Sequence, residues 1–174
     1  MSRIAKLSLV IGGARSGKSR YAESLIAKLP PPWVYIATAE AGDAEMAARI
    51  AAHRARRGPD WRTVETPRDL AGALAACDAA PVLVDCLTLW LSNLMLANAE
   101  IDAETVRLED ALAAAKAPVV LVANEVGSGI VPEQALGRRF RDLQGVLNQR
   151  MAARAERVIL MVAGLPLTVK RAED

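Results

Sequence analysis

The stretch Gly12-Gly13-Ala14-Arg15-Ser16-Gly17-Lys18-Ser19 constrains this chain more than any other. It fits the pattern G-x-x-x-x-G-K-[ST] and lies between an apolar run, Leu7 to Ile11, and a segment of helical periodicity. The spacing has a physical reason. Glycines let the backbone curl until successive N–H groups converge on phosphate oxygens, and the N-terminus of the following helix adds positive potential. Lys18 is then placed to neutralise β- and γ-phosphates, and the Ser19 hydroxyl to ligate Mg²⁺. Strand, phosphate loop and helix in that order predict a nucleoside triphosphate site in an α/β fold. What is done with the triphosphate the loop leaves open.

The rest of the chain continues the alternation. Leu7 to Ile11, Trp33 to Thr38, Val82 to Asp85, Val119 to Ala123 and Val158 to Ala163 read as strands, most of them continuously apolar. That is the pattern of a parallel sheet covered on both faces. Trp61 to Glu65 and Leu167 to Lys170 are candidate short strands. Helices are predicted over Ser19 to Leu29, ended by Pro30-Pro31-Pro32; over Asp43 to Arg57, capped by Asp43 and stopped by Gly58-Pro59; and from about Thr66-Pro67. Further helices are expected over Leu87 to Leu96, Asp102 to Lys116 and Pro132 to Ala155. The first of these three is apolar on nearly every side, which fits either a buried helix or a subunit contact. The expected fold is a three-layer P-loop NTPase-like (RecA-like) α/β domain spanning residues 1–174. Its sheet is mainly parallel and flanked by helices, with ligands at the strand C-termini.

Composition narrows the function classes. A net charge of +2 is too small to argue for a nucleic-acid partner. Cys77 and Cys86 are the only cysteines, too few for a zinc site or a disulfide framework. No run approaches the ~18 apolar residues of a membrane span, and the apolar run before Gly12 is too short for a signal peptide. A cytoplasmic location is the expectation.

Few side chains outside the loop carry chemistry. Asp85 ends an apolar strand, where a carboxylate linked to Mg²⁺ belongs in such a fold, or where a turn or cap Asp would also sit. Thr38, within Ala37-Thr38-Ala39, either meets a phosphate or ribose or simply closes its strand. Glu65 ends the WRTVE segment, where an exposed Glu is the plain reading. His53 is the single histidine. It shares a helical face with Met46 and Ile50, which suits a side chain docked against the sheet. Arg49, Arg56 and Arg57 crowd the same surface; cations there disfavour an imidazolium and leave a nitrogen lone pair for attack on phosphorus. Both readings stand on spacing alone. The segment Ala123-Asn124-Glu125-Val126-Gly127-Ser128-Gly129 follows a strand on the ligand side of the sheet, where it can shape an acceptor site.

Taken together, GGARSGKS, YIATAE, EMAARIAAHRARR, WRTVE, VDCLTLWLSN, NEVGSGIVPE and RRFRDLQGVLNQRMA occur in the order seen in one family. From about Leu7 to Lys170 the chain resembles the bifunctional adenosylcobinamide kinase / adenosylcobinamide-phosphate guanylyltransferases of cobalamin biosynthesis. The resemblance implies phosphorylation of adenosylcobinamide by GTP or ATP, then GMP transfer from GTP onto that phosphate through a GMP-histidine intermediate. The matching histidine is His53; the preceding residue is Ala52, so no second histidine competes. The resemblance also implies nucleotide contacts from Gly12, Gly13, Ala14, Arg15, Ser16, Gly17, Lys18 and Ser19, from Ala37, Thr38 and Ala39, and from Arg54, Ala55, Arg56, Arg57, Glu65 and Asp85. Ser19 and Asp85 are then the Mg²⁺ residues, and the assembly a homotrimer. Two rivals remain on the residues alone: a plain small-molecule kinase with a structural His53, and a nucleotide-dependent switch module.

Overall fold

Among the described residues, seven strands form one sheet in the order β3-β2-β4-β5-β1-β6-β7. The computed structural model describes residues 5–40, 42, 44, 48, 51, 54, 55 and 57–171. In chain order the strands are β1 (Leu7–Gly12), β2 (Trp33–Ala37), β3 (Trp61–Glu65), β4 (Val82–Asp85), β5 (Val119–Asn124), β6 (Arg157–Val162) and β7 (Leu165–Lys170). All neighbouring pairs are parallel except β6 with β7, which form an antiparallel hairpin. The helices are α1 (Lys18–Ile26), α2 (Leu70–Ala75), α3 (Leu87–Leu96), α4 (Ile101–Ala114) and α5 (Ala135–Arg154).

Unbroken apolar strands bury both faces of the sheet. One core joins Leu9, Ile36, Val84 and Leu121 to Leu70, Trp90, Leu91, Leu108, Leu147 and Met151 of α2 to α5. The other joins Val10, Tyr35, Leu83, Val122 and Ile159 to Ala22 and Ile26 of α1. Each fully buried aliphatic side chain contributes ~1.5–3 kcal/mol, so the layers hold together without disulfides. Cys77 and Cys86 are free and buried.

Most expected elements lie within a few residues of their predicted bounds. The helix expected from Thr66-Pro67 is a correction: it begins at Leu70, because the Asp69 side chain accepts a hydrogen bond from the Gly72 N–H and caps it there. The apolar excess of Leu87–Leu96 is used mostly inside the fold, where Leu87, Trp90, Leu91 and Leu94 are buried; Leu96 alone in that stretch is a large exposed apolar residue. Of the helix expected over Asp43 to Arg57, Ala44, Ala48, Ala51, Arg54 and Ala55 are helical. Asp43, Met46, Arg49, Ile50, His53 and Arg56 lie outside the described residues.

Topology gathers the site. β1 is flanked by β5 and β6, and the chain leaves it through α1 to reach β2 beyond β5 and β4. In register, Gly12 pairs with Asn124, and Ala37 pairs with both Glu65 and Asp85. The C-terminal ends of five parallel strands therefore carry Gly12, Ala37, Glu65, Asp85 and Asn124 along one edge.

Candidate active site

The phosphate loop begins where β1 runs into a tight space. A Cβ on Gly12 would lie 2.6 Å from the Met161 carbonyl oxygen and 2.8 Å from Ser16 Oγ, so only glycine fits. Gly17, at φ +92°, occupies the left-handed region as the N-cap of α1, and its carbonyl accepts from Tyr21 N–H. The β6–β7 turn supports the loop from outside: Gly164 N–H donates to the Ser16 carbonyl at 3.1 Å. Lys18 opens α1 and is buried, with its Nζ donating to the Gly13 carbonyl at 2.5 Å. Burial lowers its pKa below the ordinary value, opposed by Cys86 and Asp85. The ammonium thus sits inside the curl of the loop, on the same side of the sheet as the Asp85 carboxylate. An anion entering there would give it a stronger partner than a neutral carbonyl.

Asp85 is half-buried at the end of β4, and its Oδ2 accepts a hydrogen bond from the Tyr35 hydroxyl at 2.9 Å. The next residue, Cys86, follows a cis peptide bond, and burial pushes its thiol up to about 11, aided by Asp85. Thr38 holds this corner. Its Oγ1 donates to the Cys86 carbonyl at 2.7 Å and accepts from the Cys86 N–H at 2.8 Å, and the residue is fully buried. Asn93 Nδ2 donates to the Thr38 carbonyl at 2.8 Å. The Thr38 hydroxyl is therefore engaged within the fold. Ala37 and Ala39, half-buried on either side of it, line the strand end by their backbone and methyl groups.

The other expected residues divide into two places. Arg54 and Glu65 meet each other, Nη2 to Oε1 at 2.8 Å, as a pair with both side chains more than half exposed; such a pair is worth ~0–1 kcal/mol and is readily rearranged by a ligand. Arg57 lies over the Tyr35 ring, 3.6 Å from its centroid. Ala55 is exposed on the helical segment. His53 and Arg56 lie outside the described residues.

Two contributors escape a reading of the sequence. Tyr35 stands there only as part of an apolar strand, although a buried tyrosine needs a partner for its hydroxyl and so signals a polar neighbour. Glu125 stands there only as part of a Gly-rich segment. Its N–H donates to the Gly12 carbonyl, and its carboxylate accepts from the N–H groups of Gly127 and Ser128. The Ser128 side chain first, with the Gly127 and Ser128 N–H groups, holds the Glu125 carboxyl below the usual range. This acid therefore shapes the loop that borders the phosphate loop.

A buried lysine in a glycine-turned loop, with a carboxylate at a nearby strand end, is an arrangement chemically suited to nucleotide phosphates. A family model described as CobU, cobinamide kinase / cobinamide phosphate guanyltransferase, matches residues 8–169. The chain belongs to the cobinamide kinase / cobinamide phosphate guanyltransferase family. Among its relatives, the bifunctional adenosylcobalamin biosynthesis protein CobP of Pseudomonas aeruginosa is 50% identical over 166 residues, covering 93% of this chain and 96% of the relative. The bifunctional adenosylcobalamin biosynthesis protein CobU of Salmonella typhimurium is 45% identical over 180 residues, covering 93% and 98%. At the level of fold, the flagellar accessory protein FlaH from Methanocaldococcus jannaschii is similar with a TM-score of 0.53 at 12% identity, covering 95% of this chain and 78% of that one. A prototypical ATPase from a type III secretion system of pathogenic bacteria aligns with a TM-score of 0.57 at 12% identity, covering 94% and 56%. The expected P-loop NTPase-like α/β architecture is thus observed. As a member of this family the protein is a transferase with two activities, cobinamide kinase and cobinamide phosphate guanylyltransferase, and it uses a nucleoside triphosphate. Among the described residues, no helix is long and apolar enough to cross a membrane.

Proposed function

We propose that the protein acts in cobalamin biosynthesis on adenosylcobinamide, with one phosphate loop serving GTP (or ATP) for the kinase step and His53 relaying GMP for the second. The observation that carries this reading is the loop itself. Lys18 is drawn into its curl, held meanwhile by a carbonyl that a phosphate can replace. In the kinase step the aminopropanol hydroxyl of the substrate attacks the γ-phosphorus. The nucleoside diphosphate leaves, and the hydroxyl proton passes to solvent or a nearby base. Loop N–H groups and Lys18 hold the β- and γ-phosphates in line.

In the transfer step a His53 ring nitrogen attacks the α-phosphorus of GTP and pyrophosphate leaves. A phosphate oxygen of adenosylcobinamide phosphate then attacks the same phosphorus, displacing the imidazole and giving adenosyl-GDP-cobinamide. Two displacements give overall retention at phosphorus. Arg54, Arg56 and Arg57 are the cations assigned to offset charge on the transferring group.

Mg²⁺ is assigned to the Ser19 hydroxyl and the Asp85 carboxylate. The oxygen donors suit a hard cation that is otherwise held by phosphates and water. Bound there, Mg²⁺ would neutralise charge that builds between the β- and γ-phosphates. Ala37, Ala39, Ala55 and Glu65 complete the proposed nucleotide contacts, with Thr38 acting through the Cys86 backbone. A cytoplasmic homotrimer is the proposed working form.

The test is direct. Incubation with α-labelled GTP and Mg²⁺ should leave an acid-labile, alkali-stable label on the protein that is absent from His53→Ala. That variant should retain kinase activity while losing guanylyl transfer by at least about 100-fold. An unlabelled wild-type protein, or equal loss of both activities in the variant, would refute the relay.

A further inference from the structure

Tyr35 stands in the middle of β2 and is 4% exposed. Its hydroxyl donates to Asp85 Oδ2 at 2.9 Å. The ring is fixed from two further sides. The Arg57 guanidinium lies on its face at 3.6 Å, and Trp61 meets it edge-on at 6.2 Å, itself tilted against Trp33 at 5.2 Å. Arg57 donates from Nη2 to Thr63 Oγ1 at 3.4 Å, whereas its buried Nε and Nη1 have no hydrogen-bond partner among the described residues. The aromatic face is one of the contacts that hold that cation. Arg57, Tyr35 and Asp85 form a continuous chain of contacts from the arginine-rich segment to the end of β4.

We propose that Tyr35 is a positioning residue for divalent-cation binding: its hydroxyl ties down Oδ2 of Asp85, so that the carboxylate presents its remaining lone pairs to the Mg²⁺ of the bound nucleotide. The inference rests on the Mg²⁺ role assigned to Asp85 above. An aspartate at a strand end turns freely about its terminal torsion, and a hydrogen bond to one oxygen removes that freedom. Loss of a hydrogen-bond partner behind a metal-binding side chain typically weakens the metal ~10–100-fold. Phosphates supply much of the Mg²⁺ coordination in sites of this kind, which places the effect near the low end. Through Arg57, the same ring couples the arginine-rich segment to the cation.

Tyr35→Phe isolates the effect, since it keeps the ring and its contacts with Arg57 and Trp61 and removes only the hydroxyl. Two quantities are read: Mn²⁺ binding in the presence of GDP, by electron paramagnetic resonance, and the Mg²⁺ concentration for half-maximal kinase activity. Both should weaken about 10-fold, with kcat recovered at saturating Mg²⁺ and metal-free GDP binding unchanged. Trp61→Phe loosens the same aromatic cluster without touching the hydroxyl, and should lower the melting temperature while leaving Mn²⁺ affinity as it was. Unchanged cation affinity in Tyr35→Phe would overturn the proposal, as would equal losses in both variants. Failure of the wild-type protein to bind Mn²⁺ with GDP would instead remove the role of Asp85, and the proposal with it.

Discussion

Glu109, on α4, is 6% exposed and is clasped by two arginines of α5. Arg150 donates to both of its oxygens, Nε to Oε1 at 2.8 Å and Nη2 to Oε2 at 2.9 Å, and Arg154 Nη2 reaches Oε2 at 2.8 Å. The Arg150 hydrogen bonds lead in lowering the Glu109 carboxyl from 4.5 to about 2, against the opposing effect of burial. At ~1.4 kcal/mol per pH unit, that gap is worth roughly 3.5 kcal/mol. Arg150 and Arg154 keep 29% and 47% of their side chains exposed, so water can take over part of their hydrogen bonding. Glu109→Gln should therefore cost about 2–3 kcal/mol. With an unfolding entropy near 2.1 cal/mol/K per residue, that lowers the melting temperature by ~5–8 °C.

The pH dependence has a definite sign. Because the folded-state pKa is depressed, the clasp contributes fully above pH ~4.5 and is lost as pH falls toward ~2. Thermal melts of wild type and Glu109→Gln, followed by circular dichroism from pH 7 to pH 3, should show a constant gap down to about pH 5 that narrows below it. A gap under about 1 °C at pH 7 would refute the reasoning, and so would one that stays constant to pH 3.

Two further variants probe the loop. Lys18→Ala removes the side chain whose Nζ donates to the Gly13 carbonyl within the loop, and both activities should fall by about 100-fold or more, in assays of corrinoid phosphorylation and guanylyl transfer; full kinase activity would contradict its proposed role. Gly12→Ala puts a methyl 2.6 Å from the Met161 carbonyl and 2.8 Å from Ser16 Oγ, so the loop must shift by several tenths of an ångström. The expected result is a loss of ~1–3 kcal/mol in stability together with up to about 100-fold in kcat/KM, checked by melting and steady-state kinetics. Wild-type values for both would mean that the β1–β6 contact yields freely.

The glycine-lysine loop and the apolar strands were legible from sequence because each depends on neighbours in the chain. Spacing alone dictates how a backbone cradles phosphate, and an unbroken run of Leu, Val and Ile dictates a doubly covered strand. Asp85 was legible for the same reason, as an acid closing such a run. Local patterns also misled: Thr66-Pro67 looked like a helix start, but Asp69 provides the cap. Sequence leaves Thr38 open between meeting a ligand and closing its strand; the fold bonds its hydroxyl to the Cys86 backbone, 48 residues away in the chain.

What tertiary structure alone decided are the pairings across strands and helices. Tyr35 meets Asp85 because β2 and β4 are adjacent in register, 50 residues apart in the chain. Glu109 meets Arg150 because α4 and α5 cover the same face of the sheet. The fit of Gly12 against Met161 depends on β6 lying beside β1. Sequence determined that a triphosphate is held and, through its motifs, which family holds it. The fold decided how the Asp85 carboxylate at the end of β4 is oriented, because hydrogen-bond geometry across a sheet is set by strand order and register, which no local stretch of residues encodes.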